Sequence, residues 1–400
     1  MLTPFTESDA ISLVKTAARS NLTLEIRGGG TKAGLGRPVE TTEILSTSEL
    51  KGITAYNPAE MVMTAKSGTP LSEVVAVAAE HRQGLAFEPV NYRGIYGSDG
   101  EPTIGGTFAC NLSGPRRFQA GAARDHLLGL RFVNGLGEVI QAGGRVMKNV
   151  TGLDLPKLMA GSHGTLGLMT ELTFKVLPLP ETSATIVLAG MDEAMATQAM
   201  AEALAMPVEV SGAAHLPESC RARFLGGALP GPGTTLLRLE GLGFSVKERA
   251  TKLVAAFSKV ASVSQLNHQQ SASLWQEIRD VKPFHADGRE RPLWKISTAP
   301  SMGHQILSAL RLQTGVDGYL DWQGGLLWLR MEAAPEAELV RDLVKQAGGH
   351  ATLVRAIDED RAAIPAFQPE TPAVAALSGR IREKFDPAGM FNPGRMQNAR

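Results

Sequence analysis

Four glycine-rich segments fall between residues 22 and 176 of this chain: Arg27-Gly28-Gly29-Gly30-Thr31-Lys32, Thr103-Ile104-Gly105-Gly106-Thr107, Gly143-Gly144 running on to Thr151-Gly152, and Gly161-Ser162-His163-Gly164-Thr165-Leu166-Gly167. Glycine lets a backbone approach a bulky ligand and adopt positive φ, so spaced clusters of this kind suit a large phosphorylated cofactor held by main-chain amides. Any one of the loops reads equally well as a structural turn. Four in order are harder to dismiss, with Leu22, Leu24 and Ile26 alternating into the first and the β-rich run Leu168 to Val176 leaving the last.

Two common nucleotide loops are missing. Gly28 and Gly30 are followed by Ala33 where Gly-x-Gly-x-x-Gly needs a third glycine, and no phosphate loop ending in Gly-Lys-Ser/Thr occurs. A Rossmann nicotinamide enzyme and a P-loop ATPase are therefore disfavoured.

At 400 residues the chain exceeds one ordinary domain, so two cores are expected. Lysine plus arginine equals aspartate plus glutamate at 40 each, without a basic run, which argues against a nucleic-acid partner. No stretch approaches the ~20 apolar residues of a membrane span, and Met1 to Asp9 lacks a signal pattern. The expectation is a cytoplasmic protein with no integral membrane segment; a peripheral attachment to a membrane through partners would leave no mark of this kind and stays open. Cys110 and Cys220 are the only cysteines, too few for a disulfide framework or for the roughly four thiolates of an iron–sulfur cluster. A chain of this kind that handles electrons must pass them on.

Periodicity predicts a helix over Glu7 to Arg19 and a strand over Glu60 to Lys66, then Thr69 as helix N-cap with Pro70 at the first helical position. Asn134-Gly135 favours a tight hairpin between Leu128–Val133 and Glu138–Gln141. After Leu177-Pro178-Leu179-Pro180 the glycines thin out and strands alternate with helices. Strands are expected near 184–188, 234–240, 294–298, 319–331 and 351–354. Helices are expected near 192–205, 246–260, 274–281, 302–312 and 336–347, covering one face of an antiparallel sheet. A last helix ends at Phe385, and Asp386-Pro387-Ala388-Gly389-Met390-Phe391-Asn392-Pro393-Gly394 forms a loop.

Taken in order, Arg27 to Lys32, Glu101 to Thr107 continuing through Asn111-Leu112-Ser113-Gly114-Pro115-Arg116-Arg117, Lys148-Asn149-Val150-Thr151-Gly152-Leu153-Asp154, Gly161 to Gly167 and the Asp386 to Gly394 tail resemble the FAD-binding fold of the vanillyl-alcohol oxidase family. Within it they are most similar to the FAD-binding subunits of bacterial glycolate oxidases. The resemblance implies an α+β protein: a two-part PCMH-type FAD-binding domain over residues 1–180, a smaller cap of antiparallel sheet plus helices over 181–373, and a segment 374–400 docking back on the FAD domain.

It also implies a noncovalent FAD, with its pyrophosphate on the amides of Gly28 to Thr31 and of Ile104 to Thr107 and its ring bordered by Gly161, His163, Gly164, Thr165 and Gly167. Pro89, Asn111, Gly114, Gly121 and Asp125 match positions of the same groove. Lys148 and Asn392 are placed near the ring, where positive charge or a donor stabilises reduced flavin. Thr31 stands where covalently flavinylated relatives have histidine, and Cys110 is read as buried.

In such a fold a 2-hydroxy acid such as glycolate loses hydride from Cα to the flavin, an arginine pairs with the carboxylate, and a base takes the hydroxyl proton. The candidates for these roles are Arg279, Lys295 and Arg330, with Trp294 beside them. The eight histidines show no metal-ligand spacing. The implied partners are a larger FAD-containing glycolate oxidase subunit and an iron–sulfur subunit. A free-standing 2-hydroxy-acid dehydrogenase and a non-catalytic FAD-binding subunit remain open beside that reading.

Overall fold

Alternating Leu24 and Ile26 produce a short strand, β1 (Leu24–Arg27), which pairs in parallel with β2 (Glu43–Ser46). The structure is a computed structural model and describes residues 1–145, 152–288 and 290–396. Helix α1 (Glu7–Arg19) begins at Thr6, whose hydroxyl accepts the Asp9 amide at 3.1 Å, while Asp9 Oδ2 accepts the Thr6 amide at 2.9 Å. That reciprocal box satisfies donors the first turn would leave unpaired. Its buried stripe is Ala10, Val14 and Ala17, packed with Leu24, Leu45 and Phe391.

Five antiparallel strands form the N-terminal sheet: β3 (Ile53–Asn57), β4 (Val62–Lys66), β5 (Leu127–Val133), β6 (Val139–Gly143) and β7 (Leu168–Lys175), in the order β3-β4-β7-β5-β6. The β5–β6 hairpin is wider than a two-residue turn, because Asn134 Oδ1 accepts both the Leu136 and Glu138 amides, at 3.0 and 2.9 Å. Helix α2 (Leu71–Glu80) starts one residue later than its sequence suggests, with Pro70 as N-cap. Thr69 is occupied elsewhere: its hydroxyl donates to the Lys66 carbonyl at 2.7 Å and accepts the Gly52 amide at 2.9 Å. Helix α3 (Ile104–Ala109) packs Phe108 against Phe87 and Phe174 in the sheet's core.

The second sheet has eight antiparallel strands: β8 (Thr182–Ala189), β9 (Gly212–Leu216), β10 (Thr234–Gly241), β11 (Ser262–Leu266), β12 (Leu293–Ser297), β13 (Val316–Asp321), β14 (Leu326–Met331) and β15 (His350–Arg355). Their order is β11-β8-β10-β9-β13-β14-β12-β15. The run expected over 319–331 is two strands, broken at Trp322–Gly325. Four helices lie on one face: α4 (Glu193–Ala205) and α5 (Gly243–Phe257) pack on Ile186, Leu188 and Leu237, while α7 (Gly303–Arg311) and α8 (Ala337–Gln346) pack on Ile296 and Leu327.

The expectation that all helices share that face fails at α6 (His268–Arg279). Its Leu274, Trp275 and Ile278 lie on the other side, against Val187, Ala214 and Leu236. The same cluster takes in Tyr92, Ile95, Tyr96 and Leu112, so an apolar core runs between the N-terminal part and the second sheet. A bidentate ion pair crosses there, Arg238 Nη1 to Glu88 Oε1 at 2.8 Å and Nη2 to Oε2 at 3.0 Å.

Helix α9 (Pro372–Phe385) leads into the tail, where Asp386 Oδ2 accepts the Phe391 amide at 2.8 Å and Phe391 bridges Leu24 in parallel. Gly135 is glycine because the tail lies on it: its amide donates to the Phe385 carbonyl at 2.7 Å, and an added Cβ would sit 2.6 Å from Asp386 Oδ1. Among the described residues no helix is long and apolar enough to cross a membrane.

Candidate functional site

Successive even-numbered amides of β1 point toward the tail: Leu24 donates to the Met390 carbonyl at 2.8 Å and Ile26 to Asn392 Oδ1 at 3.0 Å. Beyond the strand this direction opens into a cleft. Gly28, Gly29, Gly30, Thr31 and Lys32 all line it, and none of their amides donates to an acceptor among the described residues. Five consecutive free N–H groups make a ready anion cradle. Their glycines have distinct causes. At Gly28 a Cβ would overlap Thr103 Oγ1 and at Gly29 the Glu101 carbonyl oxygen, whereas Gly30 needs glycine for its φ of +73°.

The second loop behaves differently from the sequence expectation. The Ile104 amide donates to the Thr69 carbonyl at 3.0 Å, Gly105 to the Ser67 carbonyl at 2.8 Å, Gly106 to Thr103 Oγ1 at 3.2 Å and Thr107 to the Thr103 carbonyl at 3.0 Å. All four are taken up by the protein, so they are not the pyrophosphate donors. Thr103, Gly105 and Gly106 instead wall the cleft, while Ile104 and Thr107 face the core. Beside them Ser67 Oγ lines the cleft, buried and without a hydrogen-bond partner.

The fourth loop threads past α3. Gly161 (φ +90°) donates its amide to the Phe108 carbonyl at 3.1 Å and His163 (φ +52°) to the Ala109 carbonyl at 2.9 Å. His163, Gly164 and Gly167 line the cleft; Gly161 does not, and Thr165 turns its hydroxyl to the Ser162 carbonyl at 2.7 Å. The His163 ring lies 4.7 Å from that of Phe367, and burial, aided by the charges of Arg395, Lys295 and Lys32, holds its pKa down to about 3. It is a neutral imidazole. Lys148 lies outside the described residues.

Asn392 lines the cleft too, yet its amide is occupied at both ends, accepting from Ile26 and donating through Nδ2 to the His163 carbonyl at 2.8 Å. It is a clamp on the cleft wall: one of its two Nδ2 hydrogens is engaged, and the second has no acceptor among the described residues.

Charge in the cleft is arranged around Glu25, which takes Arg27 at 2.5 Å and Arg395 at 3.1 Å. Lys32 Nζ donates to Thr31 Oγ1 at 3.2 Å and has no carboxylate partner among the described residues; burial lowers its pKa. Cys110 is half-buried and lines the cleft, contrary to the expectation of full burial. Burial pushes its thiol pKa up against the opposing pull of Lys32 and Arg395, which favours the protonated thiol over a thiolate nucleophile. Ser67, Glu25 and Arg395 escaped the sequence reading. Ser67 had a signal, standing at a strand end directly before Gly68.

The second-rank positions fall outside this lining. Asn111 Oδ1 accepts the Arg124 amide at 3.0 Å; Asp125, exposed, accepts the Ala122 amide at 2.9 Å and abuts Gly121. Pro89 is buried, and Gly114 packs against Glu88. Asn111, Gly114, Gly121 and Asp125 all belong to the loop from 111 to 126.

Of the cap candidates, three are tied into the scaffold. Arg279 grips Asp280 at 2.8 and 2.7 Å, Arg330 is paired with Asp287 at 3.2 Å and Asp317 at 3.7 Å, and Trp294 donates to the Pro335 carbonyl at 2.8 Å on the helix-covered face. Lys295, the next residue on β12, points the opposite way, with Nζ 5.5 Å from the Trp322 ring and 5.9 Å from that of Trp328. It has no hydrogen bond or ion pair among the described residues. Burial, then the nearby Arg117 charge, lowers its pKa to about 8. Among the described residues no three His, Cys, Asp or Glu side chains converge as a metal site.

The FAD binding domain family matches residues 1–143. Glycolate oxidase subunit GlcE of Escherichia coli (strain K12) is 34% identical over 385 residues, covering 96% of this chain and 95% of that protein. Glycolate oxidase subunit GlcD of Bacillus subtilis (strain 168) is 31% identical over 182 residues, 45% of this chain and 37% of that protein. Among solved structures, p-cresol methylhydroxylase with substrate bound superposes with a TM-score of 0.71 at 14% identity, over 99% of this chain and 88% of that one. At that identity it shows the fold, which is the α+β, two-part PCMH type with its sheet-and-helix cap. The chain therefore belongs to the family of FAD-binding oxidoreductase subunits that includes GlcE.

Proposed function

We propose that this chain is the FAD-binding subunit of a glycolate (2-hydroxy acid) dehydrogenase complex, working with a larger FAD-containing subunit and an iron–sulfur subunit. The observation that carries the reading is the cradle of five free amides at Gly28 to Lys32, in a chain similar to GlcE from end to end. FAD supplies the hydride acceptor for the substrate Cα. The chain's own residues fit it: the first-loop amides and Lys32 suit the pyrophosphate, and Ser67 Oγ offers a donor that has no other partner. A Cys110 thiol kept protonated goes with a noncovalent cofactor. Two free cysteines suit a reducing, cytoplasmic setting.

On this reading the chain comprises an FAD-binding part over 1–180, a cap facing substrate or partner over 181–373, and a returning segment over 374–400. The test is anaerobic addition of glycolate to the purified holo-chain, alone and in its assembled complex, with the visible flavin absorbance followed. Bleaching that depends on the complex supports the reading, and steady turnover by the isolated chain with an artificial acceptor would make it a free-standing dehydrogenase. No bleaching in either state, with FAD retained, would leave the cofactor a structural role.

A further inference from the structure

Trp322 stands where the cap meets the N-terminal part, in a backbone conformation that large residues avoid. Its φ is +48° and that of Gln323 is +56°, two successive left-handed residues in the β13–β14 connection. Such strain persists only where the surroundings over-determine it, and it gathers at functional sites. Two anchors hold it here. Asp321 Oδ1 accepts the Trp322 amide at 2.7 Å, and the indole Nε1 donates across the interface to the Gly114 carbonyl at 2.9 Å.

Two cations lie against that ring, one from each side of the interface. Arg117, from the N-terminal part, has Cζ 4.6 Å from the ring centroid, and Lys295 of β12 has Nζ at 5.5 Å. Neither side chain has a hydrogen bond or ion pair among the described residues. Every arginine around them is matched: Arg116 with Glu240, Arg238 with Glu88, Arg279 with Asp280 and Arg330 with Asp287. Two unmatched cations in a desolvated interface are costly unless an anion joins them. Asp321 is the buried carboxyl beside Lys295; its Oδ1 accepts the Trp322 amide and burial raises its pKa to about 7, while the carboxylate that attracts Arg117 is the exposed Asp125, so each is a weak counterion. Trp322 belongs to the apolar core shared by the N-terminal part and the second sheet, so the pair sits on the sheet face turned toward the N-terminal part.

We infer that Arg117 and Lys295, set on Trp322, form a clamp for the carboxylate of a small organic acid, assembled only when cap and FAD-binding part are packed together. A guanidinium offers a planar pair of donors to a carboxylate, an ammonium adds a point charge, and the indole face covers the short carbon body. This specificity site rests on the reading of the chain as a 2-hydroxy-acid dehydrogenase subunit.

The experiment is calorimetric titration of the FAD-loaded full chain with acetate, a carboxylate with no hydroxyl to oxidise, and with ethane-1,2-diol as its uncharged counterpart. Acetate affinity falls about 10- to 100-fold in Arg117→Met and in Lys295→Met, the diol response and the FAD content stay unchanged, and Lys295→Arg keeps acetate binding within a few-fold of the parent. A parent that does not bind acetate, or folded variants that bind it as the parent does, overturns the clamp. If a methionine variant fails to fold, Arg117→Lys and Lys295→Gln decide on the same criterion. The clamp and the enzymatic reading fail separately. Glycolate that reduces the parent's flavin with KM unchanged in both variants refutes the clamp alone, whereas acetate held by the clamp in a complex that glycolate cannot reduce refutes the dehydrogenase reading alone.

Discussion

Asn392 donates its side-chain amide to the His163 carbonyl at 2.8 Å, and its Oδ1 is bonded to the Ile26 amide. Asn392→Asp preserves the acceptor but sets a carboxylate oxygen against a carbonyl oxygen in a buried site. It should destabilise the holoprotein by about 3 kcal/mol, and Asn392→Ala by about 2, since each leaves buried polar groups unpaired. Urea unfolding followed by flavin fluorescence gives both values, and an aspartate variant as stable as the parent refutes the clamp role.

Two neighbouring glycines should respond differently to alanine. At Gly29 a methyl would lie on the Glu101 carbonyl oxygen, so the loop cannot keep its place and Gly29→Ala is expected to purify without FAD. At Gly30 the nearest atom to an added methyl is Arg27 Cδ at 3.9 Å, and the cost is the positive φ alone, about 1–2 kcal/mol. Gly30→Ala should keep its cofactor with reduced thermal stability. Flavin-to-protein absorbance ratios separate the two.

Acid should weaken the protein through His163. Its folded pKa of about 3 lies below the ordinary value of 6.5, so between those limits the unfolded chain binds the proton that the folded chain refuses. The neutral-ring contribution is complete above about pH 6.5 and is lost as pH falls toward 3. The facing charges are Arg395, Lys295 and Lys32, all repelling an imidazolium. His215, held at about 4 chiefly by burial, acts in the same direction. In stability measurements from pH 7.5 to 4.5, a range chosen to span roughly the upper half of that window, His163→Asn should lose less than the parent; an identical slope would show that the ring does not titrate there.

The Arg238–Glu88 pair joins the two parts through a nearly buried guanidinium that also lies 3.4 Å from Glu240. Arg238→Met strands the Glu88 carboxylate, leaves Glu240 with Arg116 alone and should cost about 3–5 kcal/mol, while Glu88→Gln leaves Glu240 as partner and should cost less than half of that. A double-mutant cycle measures the coupling, and additivity would mean the pair contributes nothing of its own.

The glycine loops and the tail were legible because they impose backbone geometry that few other residues supply. Reading the loops as ligand contacts was too simple: Gly28 and Gly29 are glycines because other parts of the chain lie on them, and the amides of Ile104 to Thr107 bond within the protein. Strand β9, Gly-Ala-Ala-His-Leu, escaped detection because burial on both faces removes alternation and it has no β-branched residue. Strand β11 escaped for the opposite reason, as an edge strand with Ser262, Ser264 and Gln265 exposed. In the cap, Arg279, Lys295 and Arg330 look alike as letters. Only the packing shows that two are matched by aspartates and one is free. Arg117 was visible in the paired-arginine motif, but its neighbour on the Trp322 ring comes from a strand far along the chain.

The cofactor cleft is walled at one end by residues 25–32 and at the other by Asn392 and Arg395, and Arg395 reaches Glu25 across 370 positions of sequence. On the ribosome the amide cradle is made early and stays open until the tail has been translated and has folded back. FAD capture is thus expected to be a late, post-translational step, and a nascent chain stalled before Met390 should have no durable hold on the cofactor.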